Sequence, residues 1–276
     1  MGKKRIGAEI VDFRQRSALL MAHALPEALQ TSPIVQQQFV DLARHAMRPC
    51  HRAITVRENG KARWLAVERR ACGIVKKNDE RFWFYDFGVN DAWRDYEALV
   101  RAPIDRATLT PAFDPARPVF VRIDSGCTTG QVYHDASCEC REQLHKAVEL
   151  LIKSGQGLII RIPRQDGRGM GLPFKLSTLM LQYFFGTEIF DTVEAAVRIS
   201  DSEEIDRRTY GGAVAVLKFL KVRRQQILRL ATQNDRKTDV LLENGFAIEH
   251  VLIRVPETKD TRHNMNAKRA RLGHRE

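Results

Sequence analysis

The chain has 276 residues, a formal net charge of +11, 43% hydrophobic residues and five cysteines. That length supports one large domain or two small ones around a real core, and no apolar run nears the roughly 20 residues that span a bilayer. "MGKKRIGAEIVDFRQRS" is charged where a secretory leader is apolar, so the expectation is a soluble, cytoplasmic protein without a disulfide framework.

Residues 8–48 read as helical. "SALLMAHALPEAL" and "IVQQQFVDLARHAM" repeat apolar residues at three- and four-residue steps, and Ser32-Pro33 opens the second piece. Strands follow: "RAITVR" and "ARWLAVE" joined by the turn "ENGK", then "RFWFYDFG". A proline-rich link, "LTPAFDPARP", leads into the short strand "VFVRID". Beyond it the pattern alternates: helix "REQLHKAVELLIKSG" stopped at Gly155, strand "GLIIRI", and helix "LPFKLSTLMLQYFF" with Pro173 in its first turn. Helix "YGGAVAVLKFL", strand "QILRLAT", helix "RKTDVLLENG" and strand "AIEHVLIRV" complete the series. The expected fold class is α/β in the mixed α+β sense, a mixed β-sheet core with flanking helices and an N-terminal helical extension. The domain expectation is an extension over 1–50, a catalytic body over 51–256 and a basic, flexible tail over 257–276.

Three of the five cysteines fall in "CTTGQVYHDASCEC", spaced Cys127-x10-Cys138-x-Cys140. Zinc takes thiolates readily, and three protein ligands with one open position is the arrangement of catalytic zinc sites. His134 lies between the cysteines and would make a closed structural site, so spacing alone leaves both readings open. Cys50 and Cys72 stand apart and read as ordinary thiols. A second signal is "RQDGRGMGL", Arg164 to Leu172, set between a buried strand and a helix. Its glycines, arginines and helix start can cradle an anion, although a tight strand-to-helix turn explains them equally well.

Taken in order, "CTTGQVYHDASCEC", "REQL", "RQDGRGMGL", "FDTVEA" and "LATQNDRK" resemble GTP cyclohydrolase II over roughly residues 118–256. The resemblance implies an enzyme that opens the guanine imidazole ring of GTP at C8, releases formate and removes pyrophosphate at the entry to riboflavin biosynthesis. It implies one Zn2+ per chain on Cys127, Cys138 and Cys140, and Mg2+ with the substrate phosphates. Arg122, Gln143, Asp166, Gly167, Arg168, Thr192, Thr232 and Lys237 match its nucleotide contacts. Asp206 and Arg208 fit its Asp-x-Arg, in which the aspartate is proposed as general base and the arginine as the group attacking the α-phosphate. A homodimer is expected, and neither a membrane nor a nucleic acid is expected as partner.

Three departures stand out. Gly126 replaces a glutamate before the first cysteine, Gln233-Asn234-Asp235 replaces Asn-Asn-Pro, and Leu179 stands where a tyrosine is expected four residues after Lys175. That tyrosine is thought to help expel formate, and leucine has no proton to give. Ring opening without deformylation is therefore the expected outcome. Two other readings remain: a zinc hydrolase acting on another purine nucleotide, and a non-catalytic descendant that binds nucleotide or nucleic acid.

Overall fold

The computed structural model describes residues 19–22, 25, 27–77 and 79–272. The expected helical run before residue 19 and the last four residues of the expected tail lie outside them. The first described elements are a two-residue strand β1 (Leu19–Leu20), one helical turn α1 (Glu27–Gln30) and helix α2 (Pro33–Ala46). Among the described residues of the stretch 8–48, only α2 has the expected helical length. It starts at Pro33, buries Val35 and Ala46, and packs on β3. The "SALLMAHALPEAL" stretch instead supplies β1, which pairs with β6 (Ile104–Asp105).

Strand β2 (Cys50–Glu58) turns through Asn59-Gly60 into β3 (Lys61–Lys77). Both turn residues have positive φ, 54° and 73°, as a tight hairpin that follows strand twist requires. β3 is longer than expected, and its far half pairs with β4 (Glu80–Val89) past a register shift between Arg69 and Ala71. β4 pairs in turn with β5 (Asp95–Arg101), a strand the sequence reading passed over. Its signal is present: Tyr96, Ala98 and Val100 are buried and alternate with Asp95, Glu97 and Arg101.

Strands β7 (Val119–Ser125), β8 (Gly157–Ile162), β9 (Ile227–Ala231) and β10 (Ala247–Val251) form a parallel half. The eight-stranded order is β10-β9-β7-β8-β5-β4-β3-β2, so the antiparallel β5–β8 pair joins the two halves into one mixed sheet. Helix α3 (Cys140–Ser154) covers one face with Ala147, Val148 and Leu151 against Phe120 and Ile159. Helix α6 (Gly211–Phe219), nearly all buried, covers the other, with Phe219 edge-on to Phe87 at 5.3 Å. Burial on both faces is why "VFVRID" and "GLIIRI" are largely apolar, interrupted by Arg122, Asp124 and Arg161 towards their C-terminal ends. Helices α4 (Leu172–Phe185) and α5 (Glu194–Ser200) lie between β8 and α6, and α7 (Asp235–Glu243) links β9 to β10.

One expectation is corrected. Residues 259–272 of the expected flexible tail form helix α8 (Lys259–Leu272), with Thr261, Asn264, Met265 and Ala267 buried. Its inner face is largely small and polar and is held by hydrogen bonds, so it leaves no apolar periodicity in the sequence. Among the described residues no helix is long and apolar enough to cross a membrane.

Gly157 shows how tightly the central strands approach. It sits at φ 151°, and a Cβ there would overlap the carbonyl oxygen of Phe120 on β7. Gly157→Ala is expected to cost about 2–3 kcal/mol and to lower the melting temperature by roughly 5–10 °C. Thermal unfolding checks this, and an unchanged midpoint would contradict the close β7–β8 packing.

Candidate active site

The metal loop leaves the C-terminal end of β7. Gly126 donates its N–H to the Ile162 carbonyl at 2.9 Å, and a Cβ at Gly126 would lie 2.8 Å from that same oxygen. The glutamate expected at this position therefore has no room here. Cys127 enters a wide turn, Thr128–Val132, and the chain returns to Cys138 and to Cys140, the first residue of α3. The three Sγ atoms lie within 4.8 Å of one another, and those of Cys127 and Cys138 are 3.6 Å apart. Three thiolates on one zinc at about 2.3 Å would stand roughly 3.8 Å apart, so the residues fit that ion. Gly130 leaves the space: its N–H donates to Cys127 Sγ at 3.4 Å, and any Cβ would come within 2.7 Å of Cys138 Sγ. Among the described residues this is the only such group of metal-ligating side chains, and exposed His134 is not part of it.

Electrostatics agree with a cation site. Hydrogen bonds from Cys138 and Cys140 hold the Cys127 thiol well below its ordinary range. The hydrogen bond to Cys127 pushes Cys138 up to about 11, and Cys140 is raised for the same reason. Further ionisation of the cluster thus calls for added positive charge. Lys175 on α4 supplies one unit, with Nζ 2.9 Å from Cys127 Sγ. Burial alone would lower its ammonium, but the charges of Cys138 and Cys127 raise it above its usual value. In the sequence Lys175 served only to count to position 179, because a lone helical lysine reads as solvated.

The second group is cationic. In the loop Asp166–Gly169, Gly167 and Arg168 both hold left-handed backbone at φ 56°. For Arg168 that conformation costs about 1–3 kcal/mol. Its guanidinium donates to Thr192 Oγ1 at 2.9 Å, and its carbonyl accepts from Arg207 N at 2.9 Å. Asp166 does not offer its carboxylate freely: Oδ1 accepts from Thr128 N at 2.8 Å and Oδ2 from Thr128 Oγ1 at 2.9 Å. It therefore ties this loop to the metal loop. Arg208 forms a two-point pair with Asp206, Nε to Oδ1 at 2.9 Å and Nη2 to Oδ2 at 2.5 Å. Burial would raise the Asp206 carboxyl, but Arg208 holds it below its ordinary range. Lys237, at the start of α7, is buried and donates to the Ile123 carbonyl at 2.8 Å. Burial and the charges of Arg122 and Arg208 bring it down to about 7. Burial and Arg208 likewise lower Arg168 to about 10.

Between the two groups, Arg122 on β7 donates to Asp124 Oδ2 at 3.0 and 3.1 Å and to Gln143 Oε1 at 3.2 Å. Thr232 Oγ1 accepts from Asn234 N at 3.1 Å, so it also caps the β9 turn. Cys127, Cys138, Cys140, Arg122, Gln143, Asp166, Gly167, Arg168, Thr192, Arg208, Thr232 and Lys237 all line one cleft. Asp206 alone of the sequence-identified residues does not; it stands behind Arg208. The cleft also takes residues that the sequence did not single out: Asp124, Lys175, Gln182, Asn264 and Lys268. Leu179 lines it too. Its neighbours do not replace the missing hydroxyl, because Thr178 Oγ1 donates to the Lys175 carbonyl at 2.7 Å and Ser177 Oγ to the Pro173 carbonyl at 3.2 Å.

Comparison with known proteins agrees with this geometry. Residues 82–254 match the family model of GTP cyclohydrolase II. The chain is 38% identical over 157 residues to the monofunctional riboflavin biosynthesis protein RIBA 3, chloroplastic, of Arabidopsis thaliana, which covers 56% of this chain and 29% of that protein. It is 34% identical over 180 residues to riboflavin biosynthesis protein RibBA of Cytophaga hutchinsonii, covering 65% and 42% respectively. It is 36% identical over 156 residues to GTP cyclohydrolase-2 of Archaeoglobus fulgidus, covering 56% and 39%. The matched region thus spans between about three-tenths and two-fifths of these relatives' lengths. With more than half of its residues inside the family match, and with the thiol cluster and the cation cluster on one cleft, the chain belongs to the GTP cyclohydrolase II family.

Proposed function

We propose that the protein is a zinc-dependent GTP cyclohydrolase that opens the guanine imidazole ring at C8, releases pyrophosphate and retains C8 as a formamide. The observation that carries this reading is the pairing of a three-thiol site with a cluster of cationic side chains along one cleft. A purine nucleoside triphosphate has the matching ends. Zinc, when bound by Cys127, Cys138 and Cys140, supplies a water acidic enough to act at neutral pH.

The chain's own residues do the rest. Arg168, Arg208 and Lys237 meet the phosphates, and bound Mg2+ adds to their charge. Asp206 holds the Arg208 guanidinium in one orientation towards the α-phosphate. Gln143 already accepts from Arg122 through Oε1, which leaves its amide N–H groups to donate to the base. Lys175 offsets the charge of the thiolates. Ring opening needs these parts only. Expelling formate needs a further proton donor, which typically contributes about 10²–10⁴-fold, and Leu179 has none. A reducing compartment such as the cytoplasm suits five free thiols.

A homodimer is part of the proposal. α4 turns Leu176, Met180, Tyr183 and Phe184 outwards, a stripe of apolar residues at helical spacing. Tyr183, Phe184 and Phe185 are 85%, 70% and 53% exposed, which at roughly 200 Å² each lays out about 400 Å² of aromatic surface. Leu176, Met180 and Ile189 extend it beyond what a monomer usually leaves open. Two such faces together approach the roughly 1,200–2,000 Å² of a stable interface. A lipid surface fits poorly, because the one cation of α4, Lys175, turns to the thiols.

Three outcomes are expected. Cys138→Ser should lose both bound zinc and turnover, and full zinc occupancy by elemental analysis would refute the ligand set. With GTP, pyrophosphate should appear with little formate, and Leu179→Tyr should raise the formate yield; equimolar formate and pyrophosphate from the wild type would sink the product assignment. Phe184→Asp should convert a sedimenting dimer into a monomer, whereas a variant that stays dimeric would exclude α4 as the interface.

A further inference from the structure

Helix α8 lies outside residues 82–254, the part that matches the family. Asn264, Lys268 and Leu272 nevertheless line the cleft. Asn264 is 3% exposed, and its amide is used in three directions. Oδ1 accepts from Thr192 N at 2.8 Å and from Gln182 Nε2 at 2.7 Å, and Nδ2 donates to the Ser137 carbonyl at 3.1 Å. One side chain therefore joins the Thr192 segment, α4 and the chain just before Cys138. Thr192 in turn receives the Arg168 guanidinium at 2.9 Å. Arg168 stands on left-handed backbone and has few other anchors, so where Thr192 sits decides where that guanidinium points.

We propose that α8 completes the nucleotide site, with Asn264 as a positioning residue that fixes the Thr192–Arg168 edge for the phosphate end. The inference deepens the proposed function and rests on it. An amide suits the task because it accepts from a backbone N–H and donates to a backbone carbonyl at once, leaving neither group buried and unpaired. Lys268 holds the same helix one turn further on, with Nζ 2.6 Å from Glu139 Oε1, between Cys138 and Cys140.

The test compares wild type, Asn264→Ala, Asn264→Asp and Met265→Ala in the full chain. Met265 is buried on the same helix but does not line the cleft, so its truncation reports loss of packing alone. Calorimetric binding of a non-hydrolysable GTP analogue and of inorganic pyrophosphate is measured beside zinc content, melting temperature and steady-state kinetics. Asn264→Ala should weaken both ligands and raise KM at least tenfold, keep kcat within about threefold and keep its zinc. Asn264→Asp, which retains the acceptor for Thr192 N, should recover part of the loss. Met265→Ala should lower the melting temperature and leave KM unchanged. Equal affinity of Asn264→Ala and wild type overturns the inference and spares the proposed function. Loss of zinc with affinity overturns it as well, since the role would then lie at Ser137. A wild type that binds pyrophosphate but no GTP analogue defeats the proposed function, and the pyrophosphate arm still decides the role of Asn264. A wild type that binds neither defeats both.

Discussion

Crowded positive charge is the constraint on which this architecture depends. Arg122, Arg168, Arg208 and Lys237 line one cleft, with Asp124 and Asp206 as their nearby carboxylates. Burial first, and then the neighbouring cations, holds the Lys237 ammonium and the Arg168 guanidinium below their ordinary ranges. The fold therefore anchors each cation by its surroundings. Arg208 is gripped at two points by Asp206, Lys237 by a strand carbonyl, and Arg168 by a threonine. Such sites gain most from an anion that spreads charge over several oxygens, because each added oxygen relieves more than one repulsion.

The sheet explains why the cations and the thiols meet. Parallel strands end on one side, and ligands in open α/β sheets bind outside those C-terminal ends where successive strands diverge. β7 is flanked by β8 on one side and β9 on the other. Its end launches the cysteine loop, the end of β8 the loop Asp166–Gly169, and the end of β9 the turn at Thr232. The antiparallel half does not reach this side with catalytic groups. It extends the sheet, and Glu58 at the end of β2 accepts from the N–H groups of Tyr210 and Gly211, just after Arg208. The carboxylate thus sits at the N-terminus of α6, where it is favourable, and pins the segment that presents Arg208.

What was legible in the sequence was what is local. The cysteines announce themselves by spacing, the hairpin by Asn59-Gly60, and the buried strands by short, largely apolar runs. Residues brought in from afar left no mark. Lys175 meets Cys127 across 48 positions, and Asn264 meets Ser137 across 127. Each is an ordinary polar residue on a helix until the chain is folded. β5 was missed for a different reason: its alternation is clear, but Ala98 and the charged residues between dilute its apolar character. α8 was misread because a helix held by buried amides and hydroxyls looks, by composition, like a solvated tail.

The departures from the family pattern are not equivalent once packed. Gly126 is a steric necessity here, since β7 and the end of β8 touch where a side chain would go. Among the described residues no carboxylate joins the three thiols; Asp166 accepts from Thr128 instead, and Glu139 pairs with Lys268. Leu179 is different, because it lines the cleft from helix α4 and not from the β7–β8 junction. The first change is locked in by backbone contacts at that junction. Chemistry that depends on position 179 is therefore separable from metal binding, whereas chemistry that would need an acid at 126 cannot be restored without rebuilding the β7–β8 junction.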